Sequence, residues 1–286
     1  MRPILIILFS LVFNTSQGTD LQKKAAEIQA EAFKIYRSEK ASWLGTDIMQ
    51  EVYDSGIPSN LKGYFSYATE NAVRCVFYSN DSIPKILLTI EFDQSFDPKK
   101  TTVADYAREF SEREKEYYLL RKSVESVLIA DTGFFKYYEN TNYNIVPIID
   151  EQSKRVYILT GTTRQGIVLF GNDYIMLFDN NYKLSSKERI HNTLISSPMQ
   201  SEETSGGTPV GFVHSHVPGR SEYMTATDIA TALLYQAYTN WQSCTVISKD
   251  YFSIWSCKSN TLTIIPTKTL KKIEQSEETR KIQKKR

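Results

Sequence analysis

Two of the chain's three histidines, His214 and His216, close the run Pro209-Val210-Gly211-Phe212-Val213. The run reads as a buried strand, and side chains two apart on a strand share a face, so both imidazoles point the same way. Asp228 follows twelve residues after His216, inside Thr225-Ala226-Thr227-Asp228. That stretch starts a helix whose apolar face carries Ile229, Ala232, Leu233 and Ala237. Two imidazoles and a carboxylate suit Zn²⁺, with a fourth position left for water. A second chemistry fits the same residues. Thr225 and Asp228 have the spacing of a capping box that satisfies backbone N–H groups at the helix start, with His214 and His216 as ordinary strand-end residues.

The His214-Ser215-His216-Val217-Pro218 stretch, followed by Thr225-Ala226-Thr227-Asp228, resembles the signature of the JAB/MPN metalloproteases, which include the JAMM deubiquitinases. That signature is His-x-His-Pro and then Ser-x-x-Asp at the mouth of a helix. The resemblance covers roughly the C-terminal half of the chain and implies that His214, His216 and Asp228 are zinc ligands. It further implies that Thr225 stands where a serine supports the oxyanion. The chain departs from the family in three places. Val217 lengthens the loop before the proline, threonine replaces serine, and the strand region Tyr157–Gln165 lacks the glutamate that serves the family as general base. Glu151 is the nearest earlier substitute and Glu188 the nearest later one.

The elements that must position these residues follow from periodicity and turn residues. Thr19–Ser55 reads as helix with Ala25, Ile28, Ala32 and Tyr36 on one face, broken near Gly45-Thr46-Asp47. Tyr64–Tyr78 and Lys85–Phe92 read as strands around an Asn80-Asp81-Ser82 turn, and Asp97-Pro98 ends that sheet. Thr102–Ala130 reads as one long amphipathic helix, with Tyr106, Phe110, Tyr117, Leu120 and Val124 inward. Short strands follow at Asn144–Ile149, Val156–Thr160, Gly166–Phe170 and Asp173–Phe178. Ser185–Asn192 reads as a short surface helix carrying the third histidine, His191, outside the ligand set. Ser196–Thr208 is a polar, Gly/Ser-rich loop. Beyond the site helix come Ser243–Ser248, Phe252–Cys257 and Thr261–Ile265 as strands, then a charged tail.

The expected class is α+β: N-terminal helices with a small antiparallel sheet over residues 19–132, then a JAB/MPN-like mixed β-core flanked by helices over 133–266, then the tail 267–286. Residues 1–18 form a secretory signal, with Arg2 as the charge, Ile4–Phe13 as the apolar core and Ser16-Gln17-Gly18 as the cleavage site. Ile4–Phe13 is too short for a stable membrane span. The expected location is therefore outside the cell or in a periplasm. A net charge of +1 argues against nucleic acid as partner, and no phosphate-binding or dinucleotide motif occurs. Cys244 and Cys257 stand on two arms of one hairpin, where a disulfide or two separate small apolar side chains both fit, and Cys75 is the odd thiol. Three functions follow: a zinc-dependent amide or isopeptide hydrolase acting on a protein or peptide, a non-catalytic relative that binds one, or a secreted structural or interaction protein without metal chemistry.

Overall fold

A computed structural model describes residues 16–199, 210–272 and 275–276. Met1–Thr15, which hold most of the expected export signal, lie outside the described residues, as do most of the polar loop before His214 and the end of the charged tail. The fold is α+β. Its first element is a single helix, α1 (Ser16–Val52). The expected break at Gly45 does not occur. A Cβ at Gly45 would lie 2.6 Å from Cys75 Sγ, so the glycine lets the helix press onto a strand rather than ending it. The helix stops instead before Gly56, whose φ is +145°, and Pro58.

Residues 64–78, read as one strand, are a hairpin. β1 (Leu61–Ala68) and β2 (Ala72–Ser79) pair antiparallel across a turn in which Thr69 N–H donates to the Ala72 carbonyl. β3 (Ile86–Asp93) joins β2, and β4 (Thr102–Arg108) joins β3. The expected helix over 102–130 therefore divides. Its first residues pair with β3, leaving Tyr106 exposed, and α2 (Glu112–Ala130) starts only at a capping box formed by Ser111 and Glu114. Tyr117, Leu120 and Val124 are buried as expected.

β5 (Thr141–Ile149), β6 (Lys154–Thr162), β8 (Tyr174–Phe178) and β9 (Leu184–Arg189) form a second antiparallel sheet, while β7 (Ile167–Gly171) pairs with β10 (Leu194–Pro198). The surface helix expected at 185–192 is thus strand β9 followed by a loop. Leu184 and Ser186–Arg189 pair with β8, with Ser185 at a register shift, and the ladder overrides local helix propensity. The last sheet has the order β11-β12-β13-β14, from β11 (Gly211–Ser215), β12 (Ser243–Ile247), β13 (Tyr251–Ser256) and β14 (Thr261–Pro266). β11 and β12 are parallel, and α3 (Ala226–Tyr235) is their crossover.

α1 serves both halves of the chain. Ala25 and Ala32 belong to a core with Ile229, Leu233, Val246 and Trp255, whereas Ala41 and Met49 belong to one with Val73, Leu88 and Phe92. Between them, Glu31 accepts from Arg155 Nε and Nη2 at 2.6 and 2.7 Å, and Asp150 takes the guanidinium's other side. Such a forked guanidinium–carboxylate pair fixes orientation as well as distance. Cys244 and Cys257 are both buried free thiols: Cys244 lies opposite Trp255 in the hairpin, and the two side chains are in hydrogen-bonding contact. No helix among the described residues is long and apolar enough to cross a membrane.

Candidate metal centre

His214 is the fourth residue of edge strand β11, and His216 follows just past its end, where its N–H donates to the Ile247 carbonyl. The aromatic rings of Phe170 and Phe212 stack at 4.4 Å and both lie against the His214 imidazole. Asp228 occupies the third position of α3, as its capping-box residue. Both chemistries open to Asp228 therefore meet in one side chain. Its Oδ2 accepts from Thr225 N–H at 2.9 Å and from the Thr225 hydroxyl at 2.7 Å. The same carboxylate faces the histidines, with Oδ1 3.4 Å from His214 Nε2 and Oδ2 3.5 Å from His216 Nε2. His214 and His216 present their Nε2 atoms 3.2 Å apart.

The chain's third histidine joins them. His191 Nε2 lies 3.6 Å from Asp228 Oδ2, and the His191 side chain is only 10% exposed. The geometry corrects the expectation of a surface residue. The loop after β9 turns inward because the backbone N–H groups of Ile190 and His191 both donate to the Asp173 carbonyl. Gly171 (φ +90°) and Asn172 (φ +54°) make the tight turn that delivers Asp173 there. A Cβ on Gly171 would meet the Thr193 carbonyl at 2.3 Å, so no other residue lets this loop close on β7. Arg220 bridges the two histidine loops, donating to the Arg189 carbonyl and to Asn192 Oδ1. The sequence carries one signal for His191: it is the remaining histidine in a chain with only three.

His191, His216 and Asp228 are buried, and their ligand atoms all lie within 4.8 Å of one another, close enough to hold a metal ion. Outer partners support the same orientation. His216 Nδ1 lies 3.1 Å from the Ser221 carbonyl, which can only accept, so this contact turns Nε2 toward the cluster. His191 Nδ1 lies 3.2 Å from Asp173 Oδ2. Metal-binding histidines are held this way by a second partner. His191 Nε2 and Asp228 Oδ1 are buried without a hydrogen-bond partner. Zinc bonds of about 2.0–2.1 Å place neighbouring tetrahedral ligands roughly 3.3 Å apart, and the 3.2 Å between His214 and His216 Nε2 fits that edge.

The histidines and carboxylates of the cluster balance one another's charge. Burial pushes the Asp228 carboxyl up, but the His191 charge and the imidazoles of His214 and His216 beside it outweigh it and hold the group well below the usual carboxylate range. Burial opposes the charged form of His191, and the Asp228 charge with the Asp173 hydrogen bond overcomes it, raising the imidazole to about 10. Burial raises the Asp173 carboxyl. Two buried carboxylates thus face three imidazoles.

The remaining candidates sit elsewhere. Glu151 is exposed in the β5–β6 turn, lining an open cleft with Lys34, Arg113 and Gln152. Glu188 is exposed on β9. Thr225 caps α3, and its hydroxyl is engaged by Asp228 and lies 3.0 Å from the Thr227 hydroxyl. An α+β chain with a buried cluster able to hold a metal is the class that fold and site define. No family model matches this chain, and neither the curated proteins nor the solved structures yield a match.

Proposed function

We propose that the chain is an exported protein that holds one zinc ion at His214, His216 and Asp228, in a frame resembling the JAB/MPN proteins, and binds a protein or peptide partner without hydrolysing it. One observation carries this reading. The buried cluster offers ion ligands, while Glu151 and Glu188, the two glutamates that could replace the family's general base, are both exposed. The two carboxylates near the cluster are committed, Asp228 to the histidines and the α3 cap, Asp173 to His191. A zinc ion bound here would polarise a carbonyl and acidify its water. Turnover would still need a group that accepts the proton.

The test is elemental analysis of purified protein after exposure to zinc and dialysis, together with a panel of quenched peptide and isopeptide substrates. About one zinc per chain is expected, lost in His216→Ala and Asp228→Ala, with no hydrolysis. Absence of zinc would overturn the metal reading and favour a structural or interaction protein. Efficient zinc-dependent cleavage would return the chain to the hydrolases. Export is tested by mass spectrometry of the secreted form, which should begin at Thr19; a secreted form that retains Met1 would refute the signal.

A further inference from the structure

We infer that His191 is the fourth protein ligand of this centre, that the coordination sphere is therefore closed, and that Asp173 is the residue that positions His191. The inference rests on the metal reading above and adds what kind of centre it is. An open centre keeps one position for water or substrate, with three protein ligands, whereas a closed one has four and holds the ion for structure.

Two independent observations place His191 in the sphere. The first is its aim. The side chain is nine-tenths buried, and Nε2 is the ring atom with no hydrogen-bond partner, 3.6 Å from Asp228 Oδ2. The nitrogen faces a carboxylate edge already shared by two other imidazoles without making a hydrogen bond, and an unpaired buried polar atom is costly. A bound cation removes that cost. The second is its tether. Asp173 holds His191 at two points, through its backbone carbonyl to the His191 N–H and through Oδ2 to Nδ1. Asp173 is itself fixed, because Oδ1 accepts from the Thr160 N–H at 3.3 Å. The chain gives up ordinary backbone to build this: Asn172 adopts φ +54° beside a glycine that tolerates no Cβ. A carboxylate–histidine pair pointing its free nitrogen at a ligand cluster is how outer partners orient metal-bound histidines.

The geometry has a chemical consequence. His216 and Asp228 belong to two trios, one completed by His214 and the other by His191. With both trios engaged on one ion, the position that water occupies in an open centre is filled by the His191 imidazole. The closed sphere explains physically why this chain can do without a glutamate base: there is no bound water for one to act on.

Cobalt(II) tests the inference directly, since its visible absorption reports coordination and needs no substrate. Wild-type protein loaded with cobalt alone should show an intense four-coordinate spectrum that does not change on adding azide. In His191→Ala the ion should bind about 10–100-fold more weakly, and the spectrum should respond to azide and to added imidazole, each entering the vacated position. His191→Asn serves as the second variant if the alanine form does not fold. Asp173→Asn should weaken cobalt by a similar factor and leave the spectrum azide-insensitive, which a purely structural role would not do. An azide-sensitive wild-type spectrum, or cobalt affinity unchanged in His191→Ala, would overturn the closed sphere while leaving a three-ligand centre standing. Failure of the wild type to take up any cobalt or zinc would overturn the metal reading itself.

Discussion

Replacing Glu39 with glutamine should change the pH dependence of stability in a direction set by its burial. Glu39 lies on α1 with 3% of its surface exposed, and its Oε1 accepts from Trp43 Nε1 at 2.8 Å. Burial raises the carboxyl from 4.5 to about 7, against the Trp43 hydrogen bond and the Arg121 charge, which lower it. The native state therefore holds the proton more tightly than the unfolded chain does. Below pH 4.5 both states are protonated and nothing is lost. Between 4.5 and about 7 the unfolded state ionises first, so stability falls as pH rises; above 7 the loss is complete. At 1.36 kcal/mol per unit, the loss amounts to about 3 kcal/mol. Glutamine keeps the acceptor for Trp43 and never ionises. Glu39→Gln should thus match the wild type near pH 4.5 and exceed it by up to about 3 kcal/mol at pH 8. Urea unfolding of both proteins across pH 4.5–8 measures the difference, and other titrating groups cancel in the comparison. Parallel stability curves, or a variant less stable than the wild type at pH 8, would refute the reasoning, because either would mean the carboxylate is ionised in the native protein and held by Arg121.

Gly45→Ala should destabilise the protein by about 1–3 kcal/mol of overpacking, offset in part by roughly 1 kcal/mol of gained helix propensity. The new Cβ meets Cys75 Sγ at 2.6 Å and Cys75 Cβ at 2.8 Å; a higher Tm would mean that β2 yields freely. Thr225→Ala should cost about 1 kcal/mol through loss of the α3 cap, and Thr225→Ser, which keeps the hydroxyl, should restore it. Equal losses in both variants, read by thermal unfolding, would show that the hydroxyl does not carry the effect.

The sequence made the strands of the second half legible because glycine and asparagine mark the turns around β7; β5 to β8 stand within a few residues of the expected positions. It failed where local pattern and tertiary pairing disagree. Thr102–Arg108 is polar enough to read as the start of an amphipathic helix, and only its partner β3 makes it a strand. Gly45 looks like a break until the strand pressing on it is known. At the site, His214, His216 and Asp228 were readable as a set because strand alternation puts the two imidazoles on one face and the spacing to Asp228 resembles the JAB/MPN signature. His191 was not readable. Its place depends on the Asp173 carbonyl and on a left-handed turn at Gly171-Asn172, contacts that no periodicity encodes.

α1 also has a consequence in time. It is the first described element to be synthesised, yet the partners of its N-terminal half come late. Glu31 waits for Arg155, and Gln29 accepts from the backbone N–H of Leu262, 233 residues further on. At translation speeds of about 5–20 residues per second, Leu262 follows Gln29 by roughly 12–47 s. Through that interval the face carrying Ala25 and Ala32 has no finished sheet to cover it. The C-terminal core therefore closes only after the final strand has been made, well after the N-terminal sheet is complete.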